Sequence, residues 1–279
     1  MKRNKEWIEG LRVFLKKSVF GQDEAIDVLC SAMAIGEPGV ILAGEPGMGK
    51  TLILQRVLQF VHEKGGVGDS VPMITCVVPA GIERQLSDRG KVAKALEKSP
   101  EAVIGFDGMG LVKEPVREGL LKLLAEPNYR TGNGVVLPTE DAFLIFTTAL
   151  TLGDVIKDLD RQVTEAVVDA WIDLEPMTED KGTRFVGALM TEMARTIRSF
   201  VGARISWDEN AVLSVYRKTG DNPNYQRLKM QVTKMMEQIT TTALDCDYEQ
   251  YDLEICCHGY VGEKNQLEAI IKATKKEEK

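Results

Sequence analysis

The sequence predicts an α/β fold in which a parallel sheet carries helices on both faces, followed by a small helical domain. Short apolar runs alternate with segments of helical periodicity up to Leu174, and this alternation is typical of parallel sheets. A glycine-rich turn, Gly44–Thr51, follows the first apolar run. Beyond Glu175–Pro176 the alternation ends and long amphipathic segments follow. We therefore predict a first domain over residues 1–175 and a second over residues 176–279.

The first domain is predicted to contain five strands and five helices. Apolar residues recur at helical spacing in Trp7–Lys17 and again in Asp23–Ile35. The tripeptide Gly132-Asn133-Gly134 is a turn signal that indicates a hairpin over residues 129–136. The predicted strands are residues 40–43, 72–78, 102–106, 142–147 and 168–174, and the further helices are residues 52–60, 90–98 and 115–125. Ligands of parallel sheets bind beyond the carboxyl ends of the strands, so we expect the functional site there.

The second domain is predicted to be mainly helical. Amphipathic helices are expected at residues 183–200, 208–219 and 226–244. Either Ser206 or Asp208 is suited to cap the second of these helices, since both side chains accept hydrogen bonds from helix N–H groups. Residues 251–258 alternate like a single exposed strand, and the charged tail, residues 272–279, is expected to be a solvated end. The prediction is thus a helical domain with one short C-terminal strand.

The segment Gly44–Thr51 carries the strongest chemical signal, because it fits the phosphate-binding pattern G-x-x-x-x-G-K-[ST] without a mismatch. Its glycines allow backbone N–H groups to turn inward around phosphate oxygens, and the N-terminus of the following helix adds partial positive charge. Lys50 is expected to reach the β- and γ-phosphates, and the Thr51 hydroxyl is expected to bind Mg²⁺. The expected nucleotide-binding residues of this segment are Gly44, Glu45, Pro46, Gly47, Met48, Gly49, Lys50, Thr51 and Leu52.

Asp107 supplies a second chemical signal. An apolar run, Val103–Phe106, ends at this aspartate, and in proteins with such a phosphate loop a strand of this kind carries the aspartate that organises Mg²⁺. We therefore take Lys50 and Asp107 as candidate catalytic residues, and Thr51 and Asp107 as candidate metal ligands. The residue after this aspartate is Gly108, which has no side chain with which to orient an attacking water.

The bulk composition argues against several classes of protein. A net charge of −7 is unlike a surface built for nucleic-acid phosphates, so we do not expect nucleic acid as a direct ligand. The five cysteines form no C-x-x-C pair, and their odd number indicates reduced thiols and a cytoplasmic location. The run Cys256-Cys257-His258 is read as ordinary strand residues, since adjacent strand residues point to opposite faces. No run approaches the ~18 apolar residues of a membrane span, and Met1–Lys17 lacks the apolar core of a signal peptide.

The order of these motifs resembles that of AAA+ ATPases, specifically the Clp-type protein unfoldases, and the region around the phosphate loop is also similar to MoxR-type AAA+ proteins. The resemblance covers nearly the whole chain through residues 19–26, 44–51, 107–124, 143–149, 174–179, 205–211 and 220–229. It implies that Val19 and Phe20 lie on the adenine side of the nucleotide and that Arg227 is the sensor-2 arginine. It further implies ATP or ADP with Mg²⁺ as ligands, a lid as the second domain, protein partners, and a homo- or hetero-oligomeric ring of six.

The departures from the family pattern concern groups that act during hydrolysis. Gly108 replaces the glutamate that positions the attacking water, and the spacing favours neither Glu114 nor Glu118 as a substitute. Ala149 takes the place of the sensor-1 asparagine, and Val167 takes the place of the arginine that acts on a neighbouring subunit's nucleotide. These replacements predict a protein that retains nucleotide binding better than nucleotide hydrolysis.

Two further departures concern the surroundings of that site. Arg161 is the arginine nearest to the expected arginine-finger position, and it lies six residues early. The family carries an aromatic pore loop before the Mg²⁺-organising aspartate, but residues 79–89 are short and contain no aromatic residue. The tetrapeptide Gly259-Tyr-Val-Gly262 mimics such a loop in the wrong place, and we read it as a coincidence.

These losses favour an ATP-binding protein with weak or no hydrolysis, acting as an assembly, regulatory or remodelling subunit. The missing groups stabilise the transition state, whereas Lys50, Thr51 and Asp107 bind the ground state. An active Clp-like ATPase that uses other catalytic groups is the main alternative. An interaction scaffold with a relic loop and a nucleic-acid-directed protein are two others, and the acidic charge balance counts against the last. Replacing Gly108 by glutamate tests the missing group directly.

Overall fold

The computed structural model describes residues 4–64, 73–76, 84–87, 89–126, 128–130, 134–220, 223–245, 251–260 and 266–275. The chain divides into two compact units, Met1–Pro176 and Met177–Lys279, and each has a hydrophobic core of its own. Several positions used in the sequence predictions lie outside the described residues, namely 72, 77–83, 88, 131–133, 221–222, Cys246, 261–262 and 276–279.

Seven strands and seven α-helices are described in the first unit. The strands are β1 (Gly39–Ala43), β2 (Met73–Thr75), β3 (Val103–Asp107), β4 (Asn128–Arg130), β5 (Val136–Pro138), β6 (Phe143–Thr148) and β7 (Trp171–Asp173). The helices are α1 (Lys5–Ser18), α2 (Asp23–Ile35), α3 (Lys50–Lys64), α4 (Lys91–Lys98), α5 (Glu114–Ala125), α6 (Leu152–Ile156) and α7 (Arg161–Asp169). A short 3₁₀ turn covers Met109–Leu111, and β4 pairs with β5 as an antiparallel hairpin.

Five of these strands form one parallel sheet in the order β2-β3-β6-β1-β7, which confirms the predicted α/β class. β1 and β6 are buried along their whole length, and this explains their continuous apolar sequences, because a parallel sheet covered on both faces has no polar side. β6 lies between β1 and β3, so the carboxyl ends of the three strands meet at one edge. Phe106 of β3 and Phe146 of β6 are paired in register and stack at 4.8 Å between ring centroids.

The strand predicted at residues 168–174 is wrong in its first part, because its first two residues belong to α7. The helix begins at a cap, since the Asp160 side chain accepts a hydrogen bond from the backbone N–H of Val163 at 2.9 Å. Val163 and Val167 lie one turn apart, and both are buried. The apolar residues therefore follow a helical period up to the last turn of α7, and only three residues remain for β7.

The second unit combines three helices with a three-stranded sheet. Its elements are α8 (Glu179–Val201), β8 (Arg204–Trp207), α9 (Glu209–Arg217), α10 (Tyr225–Asp245), β9 (Tyr251–Tyr260) and β10 (Gln266–Lys275). The Thr178 side chain caps α8, and Gly202 ends that helix at a φ of +70°. Asp208 is the cap of α9, because its Oδ1 accepts a hydrogen bond from the backbone N–H of Ala211 at 2.7 Å.

The single exposed strand predicted at residues 251–258 is wrong, because β9 is the central strand of this sheet. β8 pairs with β9 in parallel, and β10 pairs with it in antiparallel fashion. Leu253, Ile255 and Cys257 belong to the hydrophobic core of the second unit, whereas Cys256 is partly exposed. β10 also includes the first four residues of the charged segment that was expected to be a solvated tail. The second unit is therefore a mixed α and β structure.

Candidate functional site

The phosphate-binding segment forms a turn between β1 and α3. Gly44, Gly47 and Gly49 have φ values of +142°, +86° and +101°, which side chains with a Cβ rarely adopt. These three glycines are therefore required by the backbone of the turn. The predicted nucleotide contacts that are exposed are Glu45, Pro46, Thr51 and Leu52, whereas Met48 and Lys50 are buried.

Lys50 is the first residue of α3, and its ammonium is directed at the turn itself. The Nζ atom donates hydrogen bonds to the carbonyl oxygens of Gly44, at 2.5 Å, and Glu45, at 2.7 Å. Burial lowers the pKa of Lys50, and the carboxylates of Asp107 and Glu45 act in the opposite direction. The oxygens of a bound phosphate would compete with the two carbonyl groups for this ammonium, and their full negative charge makes them the stronger acceptors.

Asp107 joins the phosphate-binding turn to the neighbouring strand β6. Its Oδ1 accepts a hydrogen bond from the Thr51 hydroxyl at 2.8 Å and another from the Thr147 hydroxyl at 2.7 Å. The Thr147 oxygen in turn accepts a hydrogen bond from the backbone N–H of Gly108 at 2.8 Å. The structure therefore brings Thr51 and Asp107 together, and it adds Thr147, which the sequence analysis does not single out. The only signal for it in the sequence is a hydroxyl at the end of an apolar strand.

The turn after Asp107 holds no carboxylate at the expected position. Gly108 has a φ of +81° and a ψ of +36°, which is the left-handed region. The 3₁₀ turn that follows ends at Leu111, whose side chain is 63% exposed. A Cβ at Gly108 would lie 3.4 Å from the Cδ1 atom of Leu111. The missing glutamate is thus accompanied by a backbone conformation that disfavours any side chain there.

Glu114 and Glu118, the two other carboxylates considered, are held on their own helix. Glu114 Oε1 lies 3.6 Å from the guanidinium of Arg117, and Glu118 Oε1 lies 2.8 Å from the ammonium of Lys122. Both pairs are neighbours on α5, three or four residues apart. Their described ion pairs give no support to either glutamate as a substitute for the missing one.

The segment between α1 and α2 contacts the phosphate-binding turn. Val19 is buried, and its Cγ1 lies 3.9 Å from the position that a Cβ of Gly49 would occupy. Phe20 is partly exposed. Gln22 is fully buried, and its Nε2 lies 3.4 Å from the carbonyl oxygen of Met48. The structure therefore places residues 19–22 against Met48 and Gly49, just before the start of α3.

The remaining predicted positions do not join this cluster within the first unit. Ala149 is exposed just beyond β6, and Val167 is fully buried in the core. Arg161 is exposed at the start of α7 and pairs with Glu165 at 2.8 Å. Arg227 belongs to the second unit, where its side chain is exposed on α10. The role of Arg227 as a sensor-2 residue stays a prediction.

The residues at the edge of the sheet fit a nucleotide with Mg²⁺. A hydroxyl and a carboxylate oxygen lie 2.8 Å apart at Thr51 and Asp107, and oxygen atoms of these kinds are the ligands that Mg²⁺ prefers. Among the residues that the structure describes, no group of three or more His, Cys, Asp or Glu side chains is arranged to hold a metal ion. The pair fits Mg²⁺ bound mainly through phosphate and water, as is usual for that ion. None of the described helices is both long and apolar enough to cross a membrane.

No model of a known protein family matches the chain, but individual chaperones do. Heat shock protein 104 of Schizosaccharomyces pombe is 23% identical over 165 residues, which cover 52% of this chain and 18% of that protein. Chaperone protein ClpB of Wolinella succinogenes is 21% identical over 185 residues, which cover 60% of this chain and 22% of that protein. Chaperone protein ClpB of Helicobacter hepaticus is 21% identical over 187 residues, with the same two shares.

These matches show a distant relationship between this chain and the Clp chaperones. The aligned region covers 52% to 60% of the chain but only 18% to 22% of the relatives. The chain thus spans about a fifth of the length of the curated relatives that it matches.

Proposed function

We propose that this chain is an AAA+ ATP-binding protein with slow or absent hydrolysis, which acts as an ATP-dependent assembly, regulatory or remodelling subunit. The observation that carries the proposal is the hydrogen-bonded set Thr51, Asp107 and Thr147 beside the Lys50 ammonium, at the carboxyl edge of a parallel sheet. The distant relationship to Clp chaperones supports the same class. In this proposal residues 1–175 are the nucleotide-binding domain and residues 176–279 are the lid.

Each residue of the set has a distinct role in binding. Lys50 exchanges its two backbone carbonyl partners for phosphate oxygens, and the N-terminus of α3 adds its partial positive charge to the same site. Thr51 and Asp107 are oriented by their mutual hydrogen bond to hold Mg²⁺, which neutralises phosphate charge when it is bound. Thr147 donates a second hydrogen bond to the same oxygen of Asp107 and so helps to orient the carboxylate.

The proposed weakness in hydrolysis follows from the turn after β3. A general base typically contributes about 10²–10⁴ to a rate, and an arginine finger contributes about 10³–10⁵. Gly108 of this turn has no side chain that could act as the base, and Val167 of α7, at the position expected for the arginine finger, is buried in the core. Binding energy is retained in this proposal, whereas the groups that act on the transition state are absent.

An active Clp-like ATPase is the second candidate, and the relationship to two kinds of Clp chaperone favours it. Such a protein would take its catalytic groups from another copy or from a competent relative, in a ring of six. Both candidates imply protein partners, and we expect a cytoplasmic location for either of them.

Steady-state ATP hydrolysis across a range of protein concentrations separates the two candidates, with Lys50→Ala as the blank and ATP binding measured in parallel. We expect wild-type protein to bind ATP and to hydrolyse it at a rate close to that of the blank. A rate well above the blank that rises with protein concentration would favour the active ATPase. Absence of ATP binding by wild type would contradict both candidates and favour an interaction scaffold.

A further inference from the structure

Gln22 is a fully buried polar residue that lies next to the predicted adenine-side residues but is not itself among the predicted nucleotide contacts. Its Oε1 accepts a hydrogen bond from the backbone N–H of Glu175 at 2.9 Å. Its Nε2 donates to the carbonyl oxygen of Glu175 at 3.0 Å and to that of Met48 at 3.4 Å. A buried amide that uses both its donor and its acceptor has a fixed orientation, because an unpaired group costs about 1–3 kcal/mol.

The contact with Met48 fixes one peptide of the phosphate-binding turn. Described peptide bonds are trans, so the C=O of Met48 and the N–H of Gly49, which belong to one planar unit, point in opposite directions. Because Gln22 holds the carbonyl oxygen, the N–H of Gly49 is turned away from Gln22. Gly49 has a φ of +101° and directly precedes Lys50, so this N–H is one of the donors available to a phosphate.

The contact with Glu175 fixes the end of the first unit. The side-chain amide of Gln22 pairs with both backbone groups of Glu175, as a neighbouring strand would. The preceding residue, Leu174, donates its backbone N–H to the carbonyl oxygen of Ala43 at 2.8 Å. One side chain therefore connects the phosphate-binding turn to the last residues before Pro176, where the first unit ends.

We propose that Gln22 is a positioning residue that orients the Met48–Gly49 peptide for phosphate binding and couples this peptide to the backbone of Glu175. The proposal rests on the ATP binding proposed above. A phosphate that holds the N–H of Gly49 also holds the carbonyl of the same peptide against Gln22. Since coupling between sites is reciprocal, phosphate binding then strengthens the hydrogen bonds of Gln22 to Glu175.

The test combines ATP affinity with amide hydrogen exchange measured by NMR. In wild-type protein we expect ATP with Mg²⁺ to slow exchange of the Glu175 amide about three- to tenfold more than that of the Ile41 amide. The Ile41 amide reports general stabilisation, because it donates to Ala170 within the sheet at 2.7 Å. We expect Gln22→Met to weaken ATP binding about three- to tenfold and to abolish the extra protection of Glu175. Gln55→Met, at an exposed position of α3, is the matched control and should change neither quantity.

Gln22→Glu separates a positioning role from a merely structural one. In its ionised form the carboxylate still accepts a hydrogen bond from the N–H of Glu175 but cannot donate to the carbonyl oxygens of Met48 and Glu175. We therefore expect a protected Glu175 amide without ATP, together with weakened ATP binding. If wild type binds ATP without extra protection of Glu175, or if Gln22→Met binds ATP like wild type, the coupling is wrong while the proposed function stands. If wild type binds no ATP, the proposed function fails and the coupling fails with it.

Discussion

Two turns at the same edge of the first unit's sheet differ in what they provide. The turn after β1 has three glycines with positive φ, and it leads into Lys50 and Thr51. The turn after β3 begins with Asp107 and continues with Gly108 and an exposed Leu111. In the proposed function, the first turn supplies groups suited to a ground-state phosphate, and the second lacks the group that would activate water. The difference teaches that residues suited to binding and residues suited to turnover lie on separate turns, so that each set can be tested by itself.

The largest effect is expected from a substitution in the turn after β1. We expect Lys50→Ala to weaken ATP binding about 100-fold, because it removes the ammonium that is hydrogen-bonded to two carbonyl groups of the turn and is placed to bind phosphate oxygens. Isothermal titration calorimetry with ATP and Mg²⁺ measures the loss. Lys94→Ala, at an exposed position of α4, is the control and should bind like wild type. Equal affinities of Lys50→Ala and wild type would mean that the nucleotide site is elsewhere.

A smaller effect is expected at Asp107, the residue of β3 that accepts a hydrogen bond from Thr51. We expect Asp107→Asn to weaken ATP binding about tenfold in the presence of Mg²⁺ and to leave it unchanged in EDTA, because an amide is a poorer ligand for a hard cation than a carboxylate. Asp158→Asn, at an exposed position, is the control for a general loss of negative charge. An equal loss with and without Mg²⁺ would contradict the assignment of Asp107 as a metal ligand.

The second turn is tested by giving Gly108 a side chain. We expect Gly108→Ala and Gly108→Glu to lower the free energy of unfolding by the same amount, about 1–2 kcal/mol, because the cost lies in the left-handed backbone. Urea denaturation measures both. Gly119→Ala within α5 is the control and should raise the free energy of unfolding. A Cβ there meets nothing within 4 Å, and alanine favours the helix.

The two Gly108 variants also test the part that the turn after β3 plays in ATP hydrolysis. We expect neither Gly108→Ala nor Gly108→Glu to hydrolyse ATP faster than wild type, because the strained backbone does not hold a glutamate in a productive position. Steady-state turnover at saturating ATP checks this expectation. A rise with glutamate and none with alanine would show that the missing carboxylate alone limits hydrolysis.

The smallest effect is expected at Thr147, which joins the turn after β3 to the neighbouring strand β6. We expect Thr147→Val to lower the free energy of unfolding by about 1 kcal/mol, because the N–H of Gly108 loses its acceptor and Asp107 loses a donor. Thr147→Ser keeps the hydroxyl and should retain most of that stability. If Thr147→Ser loses stability in urea denaturation and Thr147→Val does not, the methyl group of Thr147 matters and its hydrogen bonds do not.

Much of the first unit could be predicted because its signals are local. The spacing of the glycines with Lys50 and Thr51 defines the turn, and the apolar runs of β1, β3 and β6 define the buried strands. α6 is absent from the prediction because it spans five residues, too few for periodicity, although Thr151 and Asp154 form a capping box at its start. Short elements carry their signal in caps, and apolar spacing alone does not reveal them.

Features that depend on distant contacts could not be predicted. β8 has four residues, and β10 is a strand because it pairs with β9 along ten residues, which is a tertiary contact. Gln22 and Glu175 are 153 positions apart in the sequence, so nothing near either residue indicates their pairing. The left-handed backbone of Gly108 is equally hidden, because a glycine in a sequence is compatible with either sign of φ.

Val167 stands at the position expected for the arginine finger, and its burial makes an arginine there costly. Its side chain is fully buried among apolar neighbours, so replacement by arginine there would bury an unpaired guanidinium at a cost of several kcal/mol. Most domains have only about 5–15 kcal/mol of stability to lose. Val167→Arg would therefore remove a large part of that stability. If the proposed function holds, an arginine that acts on a neighbouring subunit therefore has to come from a position other than 167.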